Sequence, residues 1–290
     1  MTTATTEAPK IGVHKNVPAE DYHAWPALSA SVLKQFRRSP AHAKWYMDHK
    51  HEMDSPALEM GRAYHDAILL PNEFANQWVK APKFDHRTKQ GKEDEAAFIA
   101  SLNGKNALDP DSYDECIAMR DAVLAHPVAK ELLTGPGHNE ISIVAKDPET
   151  GLVLKARLDR YASYKGISTH MDVKGTVDAS PFGFQRDAAK YGYHVQMGLY
   201  QHICNILAPA MRRIVFIAVE KNAPYSIGVY EVAADQLENC VALARKLLGE
   251  YATCVKNNYW PDYTPKGIEQ LVFPEYAFNH AGMLPVEVSE

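Results

Sequence analysis

Cysteine is scarce in this sequence, and its spacing excludes the cysteine-based classes of site. The four cysteines of the 290-residue chain, Cys116, Cys204, Cys240 and Cys254, lie far apart, and no two form a C-x-x-C pair. Zinc sites and disulfide frameworks depend on close, repeated cysteine spacing. We therefore predict neither a cysteine-bound zinc nor a disulfide framework.

Long apolar segments are also missing. No run approaches the roughly 20 apolar residues that a membrane-spanning helix needs, and the N-terminal MTTATTEAPK has no apolar signal-peptide core. We expect a cytoplasmic protein with no membrane partner. The predicted organisation is a flexible leader (1–20), one domain with a helical part (21–135) and a sheet core (136–260), and a C-terminal tail (261–290).

Positive charge is not in excess. The chain has 31 Lys and Arg against 36 Asp and Glu, a net charge of −5. Proteins that coat nucleic acid carry a broad basic surface, which this balance argues against. A protein whose basic groups line one channel remains compatible with it. The phosphate-binding motif G-x-x-x-x-G-K-[ST] is absent as well, so we expect no ATP-driven step.

The most informative stretch of the chain is 155–201, which predicts two strands joined by a turn and followed by a helix. Asp159 lies near the end of the first strand, and Asp172, Val173 and Lys174 form the tripeptide DVK on the second. Strand side chains alternate between faces, so Asp172 and Lys174 point the same way. If the strands pair, Asp159 lies beside them.

Two carboxylates and an ammonium on one surface suit a hydrolytic magnesium site. Mg²⁺ prefers oxygen ligands and usually takes only one or two protein carboxylates. Asp159, Asp172 and the Val173 carbonyl would hold the ion, and Lys174 would orient the attacking water or stabilise charge on a phosphate. The alternative is two surface carboxylates and a solvated lysine, because D-x-K is a short motif that recurs by chance.

Three motifs, KARLDR, DVK and HVQMGLY, follow one another in an order and spacing that resemble the PD-(D/E)XK nuclease superfamily. Within it the pattern is most similar to the RecB-type nucleases, and especially to RecE-like ones, from Tyr22 to Trp260. The resemblance implies an α/β fold, a restriction-endonuclease-like core with a mixed central sheet flanked by helices and a helical N-terminal region. It also implies an exonuclease, dependent on Mg²⁺ with Mn²⁺ as a substitute, that degrades linear double-stranded DNA from 5′ to 3′.

The same resemblance implies partners. They are double-stranded DNA ends, further copies of the chain in a ring around the DNA, and a RecT-like single-strand annealing protein, all serving recombination. Some RecB-type nucleases carry an iron–sulfur cluster bound by one cysteine before the core and three closely spaced after it. That cysteine spacing is absent here, so we predict no cluster.

Four more site residues are implied by the resemblance. It assigns His65, in the segment GRAYHD, to the metal site and Glu140 to the same region. It assigns Gln196 and Tyr200, four residues apart on one helix face, to the border of the active site. Gln196 would hydrogen-bond a phosphate or a metal-bound water, and Tyr200 would stack on a base or fix the backbone. The alternatives are a packed histidine, an exposed strand-end glutamate and an interior Gln–Tyr pair.

Candidate phosphate-binding cations occur in several segments of the chain. They are Lys34, Arg37, Arg62, Arg87, Lys89 and Arg157. The first two follow a helix start predicted at Ser29 or Ser31, and Arg87 and Lys89 belong to a basic loop, 80–92. Arg157 could instead pair with a carboxylate. The alternative for the others is an ordinary solvated surface.

Two other functions remain open at this point. One is a related nuclease of different polarity or substrate, such as an endonuclease or a single-strand exonuclease. The other is a non-catalytic DNA-binding protein built on the same fold.

Overall fold

The computed structural model describes residues 9–49, 55–209 and 212–278. Residues 1–8 of the predicted leader and residues 279–290 of the predicted tail lie outside these ranges. Within them, no helix combines the length and the apolar character that crossing a bilayer requires.

A six-stranded mixed sheet forms the centre of the fold, as predicted. In spatial order its strands are β1 (Gly12–His14), β4 (Gly137–Lys146), β5 (Val153–Tyr164), β6 (Ile167–Thr176), β7 (Arg213–Glu220) and β8 (Ile227–Glu231). Neighbouring strands are antiparallel except β6 and β7, which are parallel. Strands β4 and β5 form an antiparallel hairpin.

Helices flank this sheet, and proline begins many of them. In the described ranges they are α1 (Ala19–Ala24), α2 (Ala30–Arg38), α3 (Pro40–His49), α4 (Pro56–Leu69), α5 (Pro71–Gln77), α6 (Lys89–Ser101), α7 (Pro110–Ala125), α8 (Pro127–Thr134), α9 (Pro181–Lys190), α10 (Tyr193–Leu207) and α11 (Ala234–Asn257), with a 3-10 turn at Glu275–Phe278. Proline suits the first helical position because its fixed φ matches the helix and its missing N–H would have no partner there.

Some short elements differ from the prediction. The edge strand β1 lies inside the predicted leader, and β2 (Trp78–Lys80) pairs in parallel with β3 (Asn106–Leu108). Three residues carry no readable periodicity, so tertiary pairing alone defines such strands. The predicted basic loop, 80–92, ends early because α6 begins at Lys89. The Thr88 side chain accepts a hydrogen bond from the Gly91 N–H at 2.9 Å and so caps this helix.

Two core clusters cover the two faces of the sheet. The first packs α2, α10 and α11 against the sheet, and the second packs α4, α7 and α8 against it. Leu154, Ala156 and Leu158 of β5 belong to the first cluster, whereas Ala162 belongs to the second. In a regular strand all even-numbered side chains share one face. These four even-numbered residues lie on two faces, so the alternation of β5 changes phase between residues 158 and 162. The candidate site lies at this irregularity.

Candidate active site

Strands β5 and β6 stop pairing at one end, and the DVK motif lies at the opening. The ladder between them ends at the pair Arg160–Met171. Beyond this pair, the Val173 N–H donates its hydrogen bond to the Asp159 side chain, at 2.9 Å from Oδ2, and not to a backbone carbonyl of β5. The N–H and C=O of one strand residue point to the same side, so the Val173 carbonyl also faces the opening.

Helix α4 brings His65 to this opening. The side chain of Ser55 caps the helix, and the small residues Ala63 and Ala67 are fully buried, which lets α4 pack closely on its neighbours. His65 Nε2 lies 2.9 Å from Asp159 Oδ2. The imidazole and the Val173 N–H therefore converge on the same carboxylate oxygen.

Glu140 on β4 completes a cluster with His65 and Asp159. Its Oε1 lies 3.7 Å from His65 Nδ1, and its Oε2 lies 3.7 Å from Arg157 Nη1. The backbone of Glu140 is left-handed, with φ of 52°, a conformation that costs a non-glycine residue on the order of 1 kcal/mol. This distortion stands beside the phase change of β5, and it turns the carboxylate toward the imidazole.

Asp172 is fully buried and belongs to a chain of polar side chains beside this cluster. Its Oδ1 forms an ion pair with Lys174 Nζ, and its Oδ2 accepts a hydrogen bond from Gln196 Nε2 at 2.9 Å. Gln196 Oε1 accepts in turn from Lys34 Nζ at 2.7 Å. The Gln196 amide thus joins α2 to the DVK strand.

Two tyrosines that the sequence analysis did not single out border Lys174. The ammonium groups of Lys174 and Lys34 lie 5.1 and 5.2 Å from the centroid of the Tyr193 ring, within the range of cation–π attraction. The Tyr64 hydroxyl accepts a hydrogen bond from the Gly175 N–H at 3.0 Å. Both tyrosines adjoin predicted motifs in sequence, and that adjacency was the signal available for finding them.

The carboxyl groups of Glu140 and Asp172 hold protons more tightly than usual. Burial, reinforced by the charge of Asp159, raises the pKa of Glu140 to about 7. Burial and Asp159 also raise the pKa of Asp172 to about 6, although Lys174 opposes this shift. Raised pKa values in neighbouring acids mean that their negative charges are incompletely compensated. The site therefore favours binding of additional positive charge.

Asp159 and His65 stabilise each other's charged forms. Burial would lower the pKa of His65, but the adjacent Asp159 carboxylate outweighs it and raises this pKa to about 9. Burial would raise the pKa of Asp159, but His65 and Lys174 hold it well below its usual range. At neutral pH an ionised Asp159 therefore faces a protonated imidazole, whose proton a metal cation would displace.

The donor set of this cluster fits a hard divalent cation. His65, Glu140 and Asp159 each offer one ligand atom, and these atoms lie within 4.8 Å of one another. Glu140 Oε1 is buried without a hydrogen-bond partner. Carboxylate oxygens with a single imidazole suit Mg²⁺ or Mn²⁺ better than they suit softer metals. Of the predicted ligands, Asp159 and His65 lie in this cluster, while Asp172 lies in the adjacent polar chain.

Two residues predicted to contact DNA, Tyr200 and Arg157, contact other parts of the protein. Tyr200 is only 8% exposed, with its ring 5.7 Å from that of His170. The prediction that it stacks on a base is wrong, because its side of α10 packs into the core. The Arg157 guanidinium lies 4.5 Å from the centroid of the Tyr22 ring. Its ion pair with Glu140 matches the carboxylate alternative rather than phosphate binding.

The other predicted cations lie mostly at the surface. Arg37 and Arg62 are exposed. Arg87 and Lys89 are exposed and form ion pairs with Asp85 at 3.0 Å and with a glutamate of α6 at 3.5 Å. Their role in binding DNA stays a prediction. Lys34 is the exception, since it reaches the polar chain of Asp172 through Gln196.

The mixed sheet, the D-x-K strand and the acids beside it define a protein of the PD-(D/E)XK nuclease class. The chain belongs to the family described as a PDDEXK-like domain of unknown function (DUF3799), whose family model matches residues 29–268. No curated protein sequence matches the chain significantly.

One solved structure shares this fold, and a second match is weaker. The crystal structure of a candidate exonuclease from Eubacterium rectale superposes with a TM-score of 0.58 at 13% sequence identity, covering 93% of this chain and 100% of that one. The structure of SSO0001 gives a TM-score of 0.34 at 12% identity, covering 77% of this chain and 76% of that one.

Proposed function

We propose that this protein is a Mg²⁺-dependent exodeoxyribonuclease, with Mn²⁺ as a substitute, that degrades linear double-stranded DNA from 5′ to 3′ without ATP. One observation carries the proposal. The Val173 N–H donates a hydrogen bond to the Asp159 carboxylate. The two neighbours of Val173 in sequence, Asp172 and Lys174, form an ion pair beside that carboxylate. With His65 2.9 Å from Asp159, acids, an imidazole and an ammonium converge as phosphodiester hydrolysis requires.

Each of these residues has a separate task in the proposal. Asp159, His65 and Glu140, with Asp172 and the Val173 carbonyl, would hold the cation. When bound, a divalent cation polarises the phosphodiester and makes hydroxide available near neutral pH.

Lys174 is held in place by its ion pair with Asp172. Its ammonium can therefore orient the attacking water and stabilise the charge that develops on the phosphate. Gln196 fixes Asp172 from the other side and also receives Lys34. Lys34 adds a second positive charge toward the DNA phosphate.

The exonuclease part of the proposal draws on the resemblance to RecE-like nucleases. It is supported by the shared fold of the Eubacterium rectale protein, which is itself named as a candidate exonuclease. From the same resemblance we propose one catalytic domain over residues 21–260, a ring of identical subunits around DNA, and a RecT-like annealing partner. The process served would be homologous recombination by single-strand annealing in the cytoplasm.

Digestion of defined DNA tests the activity. A linear duplex labelled at either the 5′ or the 3′ end is compared with a covalently closed circle, each with Mg²⁺ and with EDTA. We expect early release of the 5′ label, an intact circle, and no cleavage in EDTA. Cleavage of the circle would identify an endonuclease, and early release of the 3′ label would reverse the polarity. DNA that is bound but never cut would identify a non-catalytic binding protein.

Asp172→Asn tests the site itself. The variant keeps the shape of the buried side chain but removes the charge that holds Lys174, so cleavage should fall at least about 100-fold. The matched control is Asp114→Asn, which neutralises an exposed acid paired with Lys80 and should leave cleavage unchanged. Thermal unfolding of both variants establishes that they fold. Full activity of folded Asp172→Asn would refute the assignment.

A further inference from the structure

Helix α9 and the residue that follows it expose aromatic rings accompanied by cations. Phe182 is 71% exposed and Tyr191 is 51% exposed. The Arg186 guanidinium lies 5.6 Å from the centroid of Phe182, and Lys190 Nζ lies 5.2 Å from the centroid of Tyr191. Single exposed apolar side chains are common on proteins. Here one ring stands at the start of α9 and the other directly follows its last residue, and each has a cation over it.

The Tyr191 end of the helix is continuous with the candidate active site. The Tyr191 ring stacks on Tyr193, with centroids 6.1 Å apart and planes at 29°. Tyr193 in turn contacts the Lys174 ammonium, 5.1 Å from its ring centroid. A row of rings therefore leads from the exposed end of α9 to the lysine of the DVK motif.

The outward direction of Phe182 is fixed by the packing of the helix. Phe184, two residues further on, is buried and stacks on Tyr230 with ring centroids 5.3 Å apart. Asp187 anchors the other end of the helix, because its Oδ2 accepts a hydrogen bond from Thr176 Oγ1 at 2.6 Å. The exposed ring is thus held in place relative to the DVK strand.

We propose that Phe182, Arg186, Lys190 and Tyr191, here called the α9 surface, bind unpaired nucleotides of the DNA strand that is cut beside Lys174. Aromatic faces stack on bases, and the accompanying cations pair with phosphates. In a duplex the base faces are covered by neighbouring base pairs, so only an unpaired strand offers both partners. The proposal rests on the nuclease function proposed above and adds that the strand is unpaired next to the site.

A second copy of the chain is the competing occupant. In a symmetric contact the α9 surface would meet its own image and bring like charges together at Arg186 and Lys190, which disfavours association. The phosphates of a single strand instead complement both cations. Charge complementarity therefore favours DNA.

Binding measured without cleavage tests the α9 surface. The full chain in EDTA is titrated against a fluorescent 20-nucleotide oligo(dT) and against a blunt duplex of equal length, with fluorescence anisotropy as the readout. Phe182→Ala combined with Tyr191→Ala should weaken oligonucleotide binding about tenfold or more and change duplex binding less than about twofold. The control Trp45→Ala removes another exposed ring, 55% exposed on α3, and should change neither.

The cations provide a second readout. Arg186→Gln and Lys190→Gln should each reduce the salt dependence of oligonucleotide binding, by roughly 0.7 in the slope of log K against log salt. The double variant Phe182→Ala/Tyr191→Ala is here called the ring variant. Unchanged oligonucleotide binding by this variant, or an equal loss of oligonucleotide and duplex binding, would overturn the proposal. A changed sedimentation coefficient with unchanged DNA binding would assign the α9 surface to self-association and overturn it as well.

Cleavage by the wild-type protein separates this proposal from the proposed function. If linear DNA is cut but the ring variant binds the oligonucleotide normally, only the α9 surface fails. If the ring variant loses oligonucleotide binding but the wild-type protein never cuts DNA, the nuclease proposal fails and the stacking surface stands.

Discussion

Replacing Glu140 by glutamine is expected to stabilise the metal-free protein at alkaline pH. Burial and the charge of Asp159 raise the pKa of Glu140 from its ordinary value of 4.5 to about 7. A pKa that is higher in the folded state makes proton binding favour folding. The resulting stabilisation is complete below about pH 4.5 and is lost as the pH rises through about 7. Glutamine keeps the size of the side chain and carries no charge, so it abolishes this loss.

The size of the effect follows from the two pKa values. The interval between 4.5 and about 7 corresponds to on the order of 3 kcal/mol. The Glu140 side chain is 22% exposed, so solvent screens this interaction only in part. For a large domain, each kcal/mol changes the Tm by roughly 2–4 °C. The Tm of Glu140→Gln should therefore exceed that of the wild type by about 6 °C or more at pH 8.

Thermal unfolding in EDTA at pH 5 and at pH 8 measures this difference. Most of the gain should be missing at pH 5, where Glu140 is still protonated in the folded protein. Adding Mg²⁺ at pH 8 should stabilise the wild type more than the variant, because a ligand that binds only the folded state adds to its stability. The control Asp114→Asn should show none of these effects. A variant less stable than the wild type at pH 8 in EDTA would refute the claim that the cluster lacks positive charge.

Two further substitutions test the cluster and the packing behind it. His65→Ala should lower the apparent Mg²⁺ affinity in cleavage at least about tenfold and should lower the Tm, because buried Asp159 loses its partner; an unchanged Mg²⁺ titration would contradict the assigned ligand. Gly198→Ala should cost about 1–3 kcal/mol in urea denaturation, since the added Cβ would meet the Cys240 backbone where α10 crosses α11. The matched control is Gly249→Ala, whose Cβ would meet nothing within 4 Å; equal losses in both variants would show that this contact is not the cause.

The sequence by itself determined the class of fold and indicated the centre of the candidate site. The strands around the DVK motif are long enough to show alternation, and the turn between β4 and β5 contains a glycine at φ 73°, Gly151. The start of α2 was readable because serine, here Ser29, is favoured directly before a helix. The order of Asp159, Asp172 and Lys174 therefore indicated both the sheet and the chemistry before any contact was known.

Only the tertiary structure decided how these residues meet. The left-handed backbone of Glu140 and the phase change of β5 have no signature in the local pattern, yet they set the geometry of the His65 cluster. Lys34 reaches Gln196 across 162 positions of sequence, and Tyr200 lies in the core although it shares a helix with Gln196. Periodicity reports only the neighbours within a strand or a helical turn. Which face is buried, and which distant residue covers it, depends on packing between elements that are remote in sequence.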